Sequence, residues 1–222
     1  MTSLPTPFLG TIASITIYTN NFDDSIAFYT SIGFAVVARA EWPFPWVQVS
    51  DGVLLIMLRK GEKPNIALSW YTAQFSTVTE KLYRAGISPV YVSPATEVIK
   101  RNIFRSPDGI EVRVVGITDG FHQPSGKGML HLPQEDFYNP AMYHNKKLGM
   151  WGELAIPVTN LTHSISFWQQ LGFCTVSQFT APYPWAVLTD GLMVIGLHET
   201  HQFDHAAITY FATDMNERVS VL

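Results

Sequence analysis

The stretch SIAFYTSIGF at residues 25–34 returns as SISFWQQLGF at residues 164–173. Sliding the chain along itself by the same 139 positions brings Pro43, Pro45 and Trp46 onto Pro182, Pro184 and Trp185. It also brings Asp51-Gly52 onto Asp190-Gly191 and Tyr71 onto Tyr210. Across residues 14–73 the two copies share eighteen identities in sixty ungapped positions. Chance gives only a few, so the chain is internally duplicated.

Each copy can be read locally. TIASITIY at residues 11–18 has strand composition. Asn21 suits a helix cap, and Phe22, Ile26, Tyr29 and Gly33 follow helical spacing, with Gly33 as the stop. FAVVARAEW is a strand, the Pro43–Pro45 segment forces a bend, and WVQVS is the next strand. Asp51-Gly52 signals a hairpin that returns through VLLIMLR. The order is β-α-β-β-β. Residues 65–116 repeat it: NIALSWYT, a helix ended by Gly86, ISPVYVS, and two strands around Ser106-Pro107-Asp108-Gly109. Residues 117–150 lack periodicity and are expected to wrap the surface as a linker with a short helical turn. A third unit follows at 151–198, and a fourth begins at 205–222.

The predicted class is therefore α+β, with tandem βαβββ modules: a first pair at 1–116, the linker, and a third module plus the start of a fourth at 151–222. Residue 222 aligns with residue 83 of the first copy, and a full second copy would run to about 255. The expectation is three and a half modules, with unsatisfied strand edges beside the fourth that a homodimer could cover.

Composition narrows the function classes. With 47% apolar and 14% charged residues the chain can build substantial cores. A net charge of −4 without a Lys/Arg cluster gives no support for a nucleic-acid or anionic-membrane partner. The start MTSLPTPFLG does not read as a signal peptide, and the longest apolar run, at 53–58, is too short to span a bilayer. Cys174 is the only cysteine, so no intramolecular disulfide can form, and a cytoplasmic setting is expected. Among apolar neighbours it reads as a core residue.

The series S-x-x-F-[YW]-x-x-x-G-F after a strand, a D-G hairpin, and a P-D-G hairpin in the partner unit resembles the vicinal oxygen chelate superfamily. That group includes glyoxalase I, bleomycin-resistance proteins and extradiol dioxygenases. The resemblance covers nearly the whole chain except the linker. It implies paired modules whose sheets form a cupped cleft holding a divalent metal or a small ligand.

The superfamily's metal ligands stand on first and last strands of the units. In the first pair those positions fall at Ser14, Met57, near Ala67, and at Arg113. This is not a metal-binding set, and no metal is expected in the first half. Glu111 and Arg113 share a strand face, either as a polar pair gripping a ligand carboxylate or as a structural ion pair. In the second half Glu153 stands at a ligand position, His198 ends the last strand of the third unit, and His201 and His205 follow. Glu153, His198 and His205 could hold Zn, Ni, Mn or Fe, or the histidines could belong to a polar loop. His122, His131, His144 and His163 form no convincing site.

Trp42, Phe44 and Trp46 alternate around two prolines, and Tyr183 and Trp185 repeat part of this. With Trp70, Tyr71 and Tyr210 on first strands, they could line an aromatic cleft or close the cores. The reading that results is a glyoxalase/bleomycin-resistance-like protein binding a small aromatic or apolar ligand. The candidates are Trp42, Phe44, Trp46, Trp70, Glu111, Arg113, Tyr183 and Trp185. The alternative is a metal-dependent lyase or dioxygenase with its site at Glu153.

Overall fold

Two sheets carry the duplication. The computed structural model describes residues 5–42, 44–61, 66–117 and 134–222; Pro43, His122 and His131 lie outside these. The first module comprises β1 (Ile12–Thr19), α1 (Phe22–Ser31), β2 (Ala35–Ala40), β3 (Trp46–Ser50) and β4 (Leu55–Lys60). The second comprises β5 (Ala67–Thr72), α2 (Phe75–Arg84), β6 (Tyr91–Val92), β7 (Arg101–Arg105) and β8 (Glu111–Gly116). Their strands form one eight-stranded sheet, β2-β3-β4-β1-β5-β8-β7-β6, joined where β1 and β5 pair antiparallel. The third module comprises β9 (Met150–Pro157), α3 (Leu161–Gln170), β10 (Cys174–Phe179), β11 (Trp185–Thr189) and β12 (Val194–His198). β13 (Ala207–Phe211) and α4 (Met215–Val221) follow. The second sheet runs β10-β11-β12-β9-β13. Among the described residues β13 pairs only with β9, so its outer edge is open.

The local signals explain the helices. Asn21 Oδ1 accepts from the Asp23 and Asp24 amides, and Asn160 Oδ1 accepts from the His163 amide. Each cap satisfies a donor that the first turn leaves open. Glu199 adds a carboxylate to the start of α3, accepting from the Leu161 amide at 2.8 Å. Gly33 ends α1 at φ +97°, where a Cβ would also strike the Asn145 side chain.

ISPVYVS yields a strand of only two residues, Tyr91–Val92. Pro89 and Pro94 flank it and cannot donate to a ladder, so pairing stops between them. Cys174 is exposed, contrary to its core reading: it begins β10, the outermost strand of the second sheet.

The halves meet through their turns. Asp190, fully buried, accepts from the Leu192 and Met193 amides within its own hairpin and from Trp70 Nε1 at 2.6 Å. Asp51 reciprocates: it accepts from the Val53 and Leu54 amides and from the Tyr210 hydroxyl at 2.6 Å. Burial and the Asp51 charge push the Tyr210 hydroxyl far up, so it stays a donor. His144 Nε2, 3.5 Å from Asp51, accepts from the Trp151 amide; burial lowers its pKa and keeps it neutral. The P-D-G turn adds a third tie, Ser164 Oγ donating to Asp108 Oδ2 at 2.5 Å. Trp70 packs edge-on against Phe173 of the other half, and Phe173 against Trp168.

Losing one donor leaves a buried carboxylate oxygen unpaired, which costs about 1–3 kcal/mol or more. Trp70→Phe and Tyr210→Phe are each expected to lower unfolding stability by that amount in urea titrations. Desolvation raises the Asp190 carboxyl above its ordinary value despite its hydrogen bonds. Its contribution is therefore fullest below the unfolded pKa near 4 and is lost as pH rises through the higher native value. Wild type should lose ground to Asp190→Asn as pH rises from about 4; a pH-independent difference would contradict this.

Candidate functional site

Strand alternation separates the two faces of the first sheet. Ile15 and Ile17 pack with the main core, whereas Ser14, Thr16 and Tyr18 turn to the opposite, concave side. Register sets Ser14 opposite Ser69, and Ser69 opposite Arg113. Thr16 lies opposite Met57, and Trp46 opposite Arg59. The floor is a row of hydroxyls: Thr16 Oγ1 and Ser69 Oγ lie 3.0 Å apart, Ser14 Oγ and Tyr71 OH 3.3 Å.

Above this floor is a cavity of about 280 Å³. Its apolar wall includes Phe44, Trp46, Met57, Val98 and Val115, and its polar wall includes Arg59, Arg101 and Arg113. Arg113 is nearly buried and donates to Tyr18 OH and Glu111 Oε2, both at 2.5 Å. Arg101 pairs with Glu97 at 3.3 Å. Arg59 lies 3.8 Å over the Phe44 ring, and burial together with the Arg113 and Arg101 charges lowers its pKa.

In the second sheet the Glu153 carboxylate lies over Gly196, where a Cβ would overlap it. Only glycine leaves this path, and along it Glu153 Oε1 reaches His198 Nε2 at 2.9 Å. The His198 ring stacks parallel on Trp185 at 5.5 Å, and Trp185 stacks on Phe179 at 4.4 Å. Tyr183 and Phe203 meet His198 edge-on. Between β9 and β13 the register slips: Ile208 pairs with Leu154 but Tyr210 with Trp151. The extra residue of β9 lies at Gly152–Glu153, where Thr209 Oγ1 bonds both the amide and the carbonyl of Glu153.

No family model and no curated protein matches the chain in sequence. Solved structures do match in fold. A catechol 2,3-dioxygenase superposes with a TM-score of 0.59 at 13% identity, over 98% of this chain and 80% of that one. The 2,3-dioxygenase LapB from Pseudomonas sp. KL28 gives 0.58 at 12% identity, over 99% and 82%. The 2,2',3-trihydroxybiphenyl 1,2-dioxygenase from Sphingomonas wittichii strain RW1 gives 0.55 at 16%, over 97% and 76%. The chain shares the fold of these dioxygenases.

The metal that the resemblance implies can be tested against the residues in place. In the first cleft the register corrects the second-unit position from Ala67 to Ser69, opposite both Ser14 and Arg113. Two hydroxyls, a thioether and a guanidinium do not fit a divalent cation, and Arg113 would repel it. In the second sheet Glu153 and His198 are two donors bonded to each other. His205 instead contacts Asp204 on an exposed loop. Among the described residues no three His, Cys, Asp or Glu side chains gather as a metal site.

The aromatic candidates divide. Phe44 and Trp46 line the first cleft, together with Glu111 just beyond Arg113. Trp42 is 68% exposed and lines no cavity described above. Trp70 is fully buried between the halves, so it is a structural tie and not a cleft residue. Tyr183 and Trp185 surround His198. The sequence reading missed Arg59, Arg101 and Tyr18. Arg59 stands two residues beyond Met57 on one strand face, and that spacing could have found it.

A methyl at position 196 displaces the Glu153 carboxylate. Gly196→Ala should therefore shift the His198 ring nitrogen resonances as Glu153→Gln does, and cost about 1–3 kcal/mol in stability. Unchanged ring resonances in Gly196→Ala would show that the strand path is not what seats the carboxylate.

Proposed function

We propose that the first cleft binds a small molecule with an aromatic or apolar body, without a metal. The observation that supports this best is the cavity at the ligand positions of the fold. Met57, Ser69 and Arg113 stand at those positions in its lining, and Phe44 and Trp46 supply an apolar wall beside them. About 280 Å³ is near the lower end of small-molecule pockets and suits a body of one or two rings. Trp46 offers a stacking face, and Tyr71 and Ser69 offer hydrogen bonds that fix orientation.

The second reading, a metal-dependent lyase or dioxygenase in the second half, rests on Glu153 reaching His198. That pair supplies two donors, fewer than the three protein ligands of an ordinary catalytic zinc site. Metal analysis separates the readings: stoichiometric Zn, Ni, Mn or Fe lost in Glu153→Ala would favour the second.

Saturation-transfer NMR with indole and 2-naphthol as probes tests the first reading. Both should bind, and Trp46→Ala should weaken them about tenfold, as expected for losing most of one ring's contact. Added Zn, Ni, Mn or Fe salts should leave the affinities unchanged. Binding that survives Trp46→Ala intact, or requires a metal, would overturn the proposal.

A further inference from the structure

The first cleft has a second chamber. A cavity of about 470 Å³ adjoins the apolar one and is lined by Tyr18, Tyr91 and Arg105 among others. The two cavities share Arg59, Arg101 and Arg113. Four arginines thus converge on one site in a chain whose net charge is −4. Among the described residues only Glu97 and Glu111 pair with them, Glu111 serving both Arg113 and Arg105. Arg59 has no carboxylate partner there and is held only against aromatic rings. The Nε atoms of Arg59 and Arg113 are buried without a hydrogen-bond acceptor. Arg113 is already paired with Glu111, whereas Arg59 is a half-buried guanidinium without a carboxylate; such a charge is costly to leave unpaired, and a bound anion removes the cost.

Resting on the binding function proposed above, we infer that the ligand is an organic acid. Its carboxylate sits between Arg59 and Arg113, and its apolar body lies against Phe44 and Trp46. Both guanidiniums line both cavities, and guanidinium geometry favours a planar carboxylate partner. The position is apt, because Arg113 occupies the place of a metal ligand in this fold. The guanidinium would hold the polar end of the molecule there by charge-assisted hydrogen bonds.

Matched acid and amide probes test this: 2-naphthoate against 2-naphthamide, and 3-phenylpropionate against 3-phenylpropionamide, titrated by calorimetry into the full chain. The acids should bind at least about tenfold tighter than their amides. Arg59→Met, which keeps the stem over Phe44, should abolish that preference while changing amide binding little. If Arg59→Met does not fold, the wild-type acid–amide ratio and its decline with added salt decide the matter. Amides that bind as tightly as acids would overturn this inference and leave the aromatic cleft standing. If neither acids nor amides bind, and indole and 2-naphthol also fail, both the inference and the binding function fall.

Discussion

The structure depends on two aspartates that each satisfy a local and a tertiary demand with one carboxylate. Asp51 and Asp190 close equivalent hairpins by accepting two backbone amides apiece. The remaining oxygen of each accepts a donor from the opposite half, Tyr210 for Asp51 and Trp70 for Asp190. A buried carboxylate is tolerable only when its oxygens are partnered. The turns therefore cannot keep both their own geometry and their burial unless the halves dock. That links hairpin formation, the lowest-order event in each module, to the pairing of the two sheets. The concave faces are left on the sides away from this contact, free to diverge.

They have diverged at corresponding positions. Ser14, Met57 and Arg59 in the first copy align with Glu153, Gly196 and His198 in the second. In the first copy the bulk of Met57 fills the floor, and the cation beyond it stacks on Phe44. In the second, the missing side chain of Gly196 opens a path that the Glu153 carboxylate fills, and the imidazole at its end stacks on Trp185. One change of volume on the last strand thus decides whether the first strand can project a carboxylate across it. The aromatic partners, Trp46 and Trp185, are common to both copies, while the polar groups differ.

Much of the architecture was legible in the sequence because it rests on local rules repeated at one offset. Caps at Asn21 and Asn160, stops at Gly33 and Gly172, and D-G turns recur at 139 residues and appear as the expected elements. The site was less legible, for two physical reasons. A strand bulge has little signature, and the slip at Gly152–Glu153 reverses the facing of aligned tyrosines: Tyr71 looks into the first cleft, Tyr210 into the contact between halves. Tyr210 was thus read with the cleft aromatics although register places it in the core, and Trp70, beside Tyr71 on β5, takes the core face by alternation. Glu111 and Arg113, two apart on one strand, were legible because alternation alone brings them together. Arg101 arrives from β7 through sheet pairing, which no local pattern encodes.

The charge distribution sharpens what the first cleft can do. Arg59 and Arg113 lie on the last strands of two different modules, β4 and β8. Those strands flank the antiparallel β1–β5 junction in the centre of the sheet. The fold therefore brings the two guanidiniums to one concavity however far apart they lie in sequence, and it does so through backbone pairing that the side chains do not control. Burial first, and repulsion from Arg113 after it, lower the Arg59 pKa, and that repulsion is not relieved by rearrangement of a loop. It is built into rigid strands whose stability comes from the apolar core beneath, where Ile15, Leu58 and Val112 are buried. A floor that holds the Arg59 guanidinium without a carboxylate partner on a rigid strand suits an anion, since little ordering remains to be done when one arrives.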